Sequence, residues 1–297
     1  MLRKLASLLL LFIAGCADIS LESRLHHVDA LTELHSWKRL SIATDSFDLV
    51  AYVPRQTPGE NPPDNPLSIY IEGDGLAWIS STRLSGNPTP RNPVGLELAL
   101  RHPTQAVAYL ARPCQYVKIS ETRGCSAIYW SSHRFAPEVV TAMNQAVAYL
   151  KRRFGAAELT LVGYSGGGAI AALVAARRDD VTQLITVAGN LDHEAWTREK
   201  KLTPLYGSLN PADYWQALLN IPQLHFIGGR DSVVGRAVTE SYLNRYPSNH
   251  RPKIQVIEEF NHTCCWEKRW PELLQTTGLI QKTHYGSNNT PHHIRAE

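Results

Sequence analysis

Apolar residues recur along this chain in short runs divided by longer mixed stretches. Phe47 to Val53 alternates apolar and polar positions, as a strand with one covered face does. Leu67 to Ile71, Ala106 to Leu110, Leu159 to Val162, Val181 to Val187, Leu224 to Ile227 and Ile254 to Ile257 are further apolar runs of strand length. Helical spacing fills most of the gaps. It is clearest from Pro137 to Phe154, where Val140, Met143, Ala146, Val147 and Leu150 fall on one face and Pro137 stands in the first turn. Strands that alternate with helices call for an α/β fold with a mainly parallel sheet flanked by helices. The Pro-rich stretch from Pro54 to Pro66 separates the first two strands, which are expected to pair antiparallel at the start of the sheet.

The first residues follow a different pattern. Arg3 and Lys4 precede an apolar run from Leu5 to Ile13 that is too short to span a bilayer. The run closes in Ile13-Ala14-Gly15-Cys16, which resembles the lipobox of bacterial lipoproteins. That resemblance implies cleavage before Cys16, a lipid on Cys16 and a place in the cell envelope. With Ala17 rather than Asp following the cysteine, it implies the outer membrane, facing the periplasm, in a Gram-negative cell. The expected organisation is a signal peptide over 1–15, a lipidated tether over 16–39, one globular domain over 40–284 and a polar tail over 285–297. Removing residues 1–15 leaves 28 basic against 27 acidic side chains. A nearly neutral body without basic runs interleaved with aromatics makes nucleic acid a poor partner. The 12 histidines show no zinc-ligand spacing, and the pairs His26-His27 and His292-His293 read as solvated.

Committing Cys16 to lipid leaves Cys114, Cys125, Cys264 and Cys265, an even number in an exported chain. Cys114 with Cys125 is the favoured pair. Cys264 and Cys265 are then either a vicinal disulfide or free thiols, and a crossed pairing stays open.

The stretch around Gly163-Tyr164-Ser165-Gly166-Gly167 carries the sharpest chemistry, because an apolar strand runs into it and an alanine-rich helix follows. A serine at such a strand-to-helix turn is forced into strained dihedrals, and small residues two before and two after it let the backbones pass. Its hydroxyl is exposed, and the helix N-terminus offers free amides to an oxyanion. Asp231 follows the strand that ends at Ile227, and His262 follows the strand that ends at Ile257. Asp192 is the rival acid one strand earlier. His250 precedes the last strand and His284 lies in the polar tail, so both are weaker bases.

The elbow with the order Ser165, Asp231, His262 resembles the α/β-hydrolase superfamily over roughly residues 40–280. The resemblance implies an eight-stranded, mostly parallel sheet, with the serine after strand five, the aspartate after strand seven and the histidine after strand eight. It implies an oxyanion hole built from the Gly166 amide and one amide after Ile69-Tyr70-Ile71, assigned to Asp74 with Gly75 as alternate. The family often carries His-Gly there, and Glu72 departs from that. The Asp74 side chain is expected to turn toward Arg83, Arg91 or Arg112. Residues from Trp196 to Gln216, with Trp196, Leu202, Leu205, Tyr206, Tyr214 and Trp215 at no clean period, read as a small cap-like insertion after strand six or as aromatics packing it onto the body. Leu76 to Pro93 is a second long loop at the same mouth. The expected activity is hydrolysis of a small-molecule carboxylic ester through an acyl-enzyme, without metal or organic cofactor. Alternatives on the same fold are a peptidase or amidase, a thioesterase, and a lipoprotein that keeps the fold without turnover.

Overall fold

The computed structural model describes residues 20–56 and 66–277. Cys16, the expected signal peptide, His284 and the tail over 285–297 lie outside the described residues. Eight strands form one sheet: β1 (Trp37–Ala43), β2 (Asp48–Pro54), β3 (Leu67–Ile71), β4 (Val107–Leu110), β5 (Leu159–Tyr164), β6 (Val181–Val187), β7 (Gln223–Gly228) and β8 (Lys253–Ile257). They lie in the order β1-β2-β4-β3-β5-β6-β7-β8. From β4 to β8 every pairing is parallel, with Ile69 opposite Leu161 and Phe226 opposite Gln255. Only β2 runs against its neighbours, β1 and β4.

Two expectations need correction here. Strands β2 and β3 do not pair, because β4 lies between them and β3 is parallel to both its neighbours. Strand β3 is buried at every position, which suits an interior place in the sheet, and β2 instead turns back on β1 through Thr44 to Phe47. Nor are residues 20–39 a bare tether. Helix α1 (Leu21–Leu34) is capped by the Ser20 hydroxyl, and Val28, with Leu25 and Leu31 beside it, packs into the core. The stretch Leu-Glu-Ser-Arg-Leu-His-His-Val is polar enough to read as tether, but its few apolar residues fall at helical spacing.

The pleat sorts the strand side chains into two cores. Ala51, Ile69, Leu110, Leu161 and Leu184 face helices α3 (Pro137–Phe154) and α4 (Gly166–Ala175). Tyr52, Tyr70, Tyr109, Val162, Ile185 and Phe226 face α1, α2 (Val94–Leu100) and α7 (Trp266–Gln275). Helix α3 keeps its predicted limits. Pro137 opens it, Lys151 to Arg153 complement its C-terminal dipole, and Gly155 closes it at φ 62°. Helix α4 is buried along its whole length. Among the described residues the remaining α-helices are α5 (His193–Lys200), inside the insertion after β6, and α6 (Arg236–Leu243) after β7.

Candidate active site

Parallel strands deliver their loops to one edge, so the C-terminal ends of β3, β5, β7 and β8 bring distant residues together. Ser165 sits between β5 and α4 at φ 52°, ψ −122°. Its backbone is clamped there: its N–H donates to the Val187 carbonyl at 2.9 Å, and its own carbonyl accepts from Gly168 at 2.9 Å and Asn190 at 3.0 Å. A Cβ at Gly163 would come within 2.3 Å of the Gly167 carbonyl, and one at Gly167 within 2.2 Å of the Ile71 carbonyl. The spacing of glycines around the serine is therefore a packing requirement of a turn pressed against β3.

His262 Nε2 lies 3.0 Å from Ser165 Oγ, and His262 Nδ1 lies 2.8 Å from Asp231 Oδ2. The Asp231 side chain is fully buried, and its other oxygen accepts the Val233 and Val234 amides at 2.8 and 2.9 Å. One carboxylate oxygen is thus spent on fixing the loop and the other on the imidazole. The histidine loop is pinned by residues that sequence reading passed over. Tyr164 Oη and Trp266 Nε1 both donate to the His262 carbonyl, and Asn261 Oδ1 accepts the Thr263 and Cys264 amides. An asparagine directly before the histidine was the available signal, since Asn bonds readily to backbone two or three residues on.

Asp192 is engaged elsewhere. It caps α5 by accepting the Ala195 amide at 3.1 Å, and it also accepts from Asn210 Nδ2 at 3.0 Å and Ser241 Oγ at 2.7 Å. His250 precedes β8 and lies at the opposite edge of the sheet. That opposite edge also holds an open depression of about 770 Å³ between Gln183, Pro222 and Lys253, lined in part by His250 and by none of Ser165, Asp231 and His262.

Next to the serine, Gly166 opens α4, and neither its amide nor that of Asp74 finds an acceptor among the described residues. Open amides beside a serine hydroxyl can receive negative charge that develops there. The Asp74 carboxylate accepts from Arg112 Nη1 at 3.2 Å, as anticipated, and from Arg134 Nη1 at 2.6 Å, which was not. Burial opposes the Asp74 charge, but Arg134 and Arg112 outweigh it and hold the carboxyl below its usual range. Burial draws Arg112 down only to about 10, so it stays charged at neutral pH. The carboxylate does not leave the serine's neighbourhood altogether, since a Cβ on Gly166 would strike Asp74 Oδ1 at 2.2 Å.

Glu72, the unexpected residue of this segment, is almost wholly buried. It accepts the amides of Gly73, Gly95 and Leu96 and the Tyr109 hydroxyl, and Tyr109 in turn meets Tyr116. Burial pushes its carboxyl up, against the pull of those donors. Its side chain is thereby turned into the fold, where it ties the end of β3 to the start of α2. The structure pairs Cys114 with Cys125 and Cys264 with Cys265, the latter within the histidine loop. In the insertion, Leu205 is buried, and Trp196, Tyr214 and Trp215 pack against the core, whereas Leu202 and Tyr206 stand open to solvent.

No protein-family model matches the sequence, and no curated protein matches it by sequence. Solved structures do match in shape. A putative dienelactone hydrolase from Klebsiella pneumoniae superposes with a TM-score of 0.55 at 18% identity, over 82% of this chain and 98% of its own. A Pyrococcus furiosus esterase does so with a TM-score of 0.55 at 14% identity, over 82% and 92%. A structure described as a membrane phospholipase A, a novel bacterial virulence factor, matches with a TM-score of 0.53 at 18% identity, over 90% and 93%. At these identities the likeness is one of fold.

Proposed function

We propose that this chain, which has the α/β-hydrolase fold, is a serine hydrolase acting on carboxylic esters. The observation that carries the reading is the continuous relay from Ser165 Oγ through His262 to Asp231, at 3.0 and 2.8 Å. In that reading His262 Nε2 takes the Ser165 proton as Oγ bonds to the substrate carbonyl carbon, and Asp231 holds the imidazole in the tautomer that can accept it. The amides of Gly166 and Asp74 bear the oxyanion. The proton on His262 passes to the departing alcohol, leaving an acyl-enzyme. Water, activated by the same histidine, then releases the acid and restores the serine.

Esters are favoured over amides by the company the fold keeps, since structural neighbours are named an esterase and a dienelactone hydrolase. We further propose that a lipid on Cys16 attaches the protein to the cell envelope, on the strength of the Ile13-Ala14-Gly15-Cys16 ending. Fluorophosphonate labelling tests the enzyme: wild type should be marked and Ser165→Ala should not. A series of nitrophenyl esters of rising acyl length, set beside aminoacyl anilides, then separates esterase from peptidase. Turnover of the anilides alone would reverse the substrate assignment.

A further inference from the structure

Six large apolar side chains among the described residues stand open to solvent, and their distribution is one-sided. Leu34 ends α1. The other five, Trp78, Ile128, Leu202, Tyr206 and Val233, sit on the loops that leave β3, β4, β6 and β7 at the edge where Ser165 lies. These loops touch in sequence around the edge. Trp130 Nε1 donates to the Ser85 carbonyl at 3.0 Å, Gly207 lies against the His133 ring, and Trp196 Nε1 donates to the Val233 carbonyl at 2.8 Å. Isolated exposed apolar residues are ordinary on any protein, but five of six on one contiguous rim are not scattered. Tyr206 is 85% exposed, and Trp78 shares its short hairpin with the exposed Arg83, while the exposed Lys201 precedes Leu202. Tryptophan, tyrosine and leucine flanked by basic side chains are the chemistry that fits a phospholipid headgroup layer.

The topology says where the start of α1 stands relative to that rim. Strand β2 opposes both β1 and β4, so β1 runs in the same direction as the parallel strands. Helix α1, which leads into the start of β1, therefore runs the other way. Its first residue lies at the site edge and Leu34 about 20 Å off toward the far edge, at about 1.5 Å of rise per residue. The contacts agree, because Arg24 donates to the carbonyls of Asn87 and Thr89 in the loop that carries Trp78. Cys16 precedes Ser20 by four residues, which caps its distance at about 14 Å whatever path the chain takes. A lipid there would hold the bilayer against this edge.

We propose that the rim of Trp78, Ile128, Leu202, Tyr206 and Val233 docks on a phospholipid bilayer, so that Ser165 faces the membrane surface and draws its ester from the lipid phase. The substrate half of this rests on the hydrolase reading above; the docking half does not. The full chain, reconstituted into vesicles of phosphatidylcholine and phosphatidylglycerol, is spin-labelled at Tyr206→Cys, at Trp78→Cys or, as a control, at Leu34→Cys. Labels at 206 and 78 should collide with oxygen dissolved in the lipid, and the label at 34 should collide with an aqueous nickel complex. Aqueous labels at both rim positions, or immersion at 34 as well, overturn the docking and leave the rim to a protein partner. In the second arm, Trp78→Ser/Leu202→Ser/Tyr206→Ser should lower hydrolysis of a vesicle-embedded long-chain ester at least tenfold and leave a soluble short-chain ester within twofold. Equal loss on both substrates, or none on either, overturns the substrate half. Immersed labels with no turnover of any ester by wild type would instead sink the hydrolase reading and leave the docking standing.

Discussion

Replacing Asp231 by Asn changes one atom and inverts a hydrogen bond. In the wild type, Oδ2 accepts the Nδ1 proton of His262 at 2.8 Å, which leaves the Nε2 lone pair directed at Ser165 Oγ, 3.0 Å away. Oδ1 is already committed to the amides of Val233 and Val234. The new amide must therefore present its oxygen to those two donors and its NH2 to the imidazole. Nδ1 becomes the acceptor, the proton moves to Nε2, and the histidine offers a donor where a base is required. The loop bonds survive, so stability should change by less than about 1 kcal/mol, while the equivalent change in a serine protease lowers turnover about ten-thousandfold, or about 5 kcal/mol of transition-state stabilisation. Asp192→Asn is the control, since Asp192 has no contact with His262 and an asparagine still caps α5. The assay is kcat/KM on a nitrophenyl ester alongside thermal midpoints for both variants. If Asp231→Asn stays within tenfold of wild type, or if Asp192→Asn falls as far without unfolding, the relay is not the catalytic one.

Three further outcomes are expected. Glu72→Ala strips the acceptors from the Gly73, Gly95 and Leu96 amides and the Tyr109 hydroxyl; urea titration should show a loss of about 3 kcal/mol or more, and kcat should drop with it because Gly73 leads directly into the Asp74 amide. Asp74 has its carboxyl held low by Arg134 and Arg112 against its burial, so its contribution is present above the unfolded value of about 3.9 and fades as pH falls through the lower folded value. Asp74→Asn should accordingly cost about 3 kcal/mol at neutral pH, where two guanidiniums lose their counter-charge, and should flatten the acid limb of the thermal midpoint; a limb as steep as wild type contradicts this. Cys114→Ala/Cys125→Ala opens a short loop that is covalently closed in the structure; its denaturation midpoint should fall by the equivalent of about 2–3 kcal/mol, and mass mapping of the unreduced wild type should return the Cys114–Cys125 peptide pair.

Much of this architecture is written locally. Apolar runs mark β3 to β8, and β3, β4, β5 and β7 are buried at every position because a parallel sheet leaves its interior strands no solvent side, whereas β8 at the sheet's edge is only partly covered. Helix α3 begins at a proline, ends at a glycine and has a single apolar face, all of them properties of the chain within a few residues. The turn at Ser165 was legible for the same reason, since a tight strand-to-helix turn dictates its small neighbours. Long-range pairing is another matter. Nothing near β2 says that β4, some 55 residues on, will lie against it rather than β3, because strand partners are chosen by the sum of packing over the whole sheet. Strand β1 and helix α1 were passed over because their polar residues outnumber the few that anchor them. Arg134, 60 residues from Asp74, was invisible for a related cause: a buried ion pair leaves no spacing in a sequence, and it exists only once the loops after β3 and β4 meet. Glu72 shows the limit most plainly. Sequence marks it as an odd charge beside an oxyanion segment, and only the fold supplies the three amides and the tyrosine hydroxyl that make a buried carboxylate tolerable there.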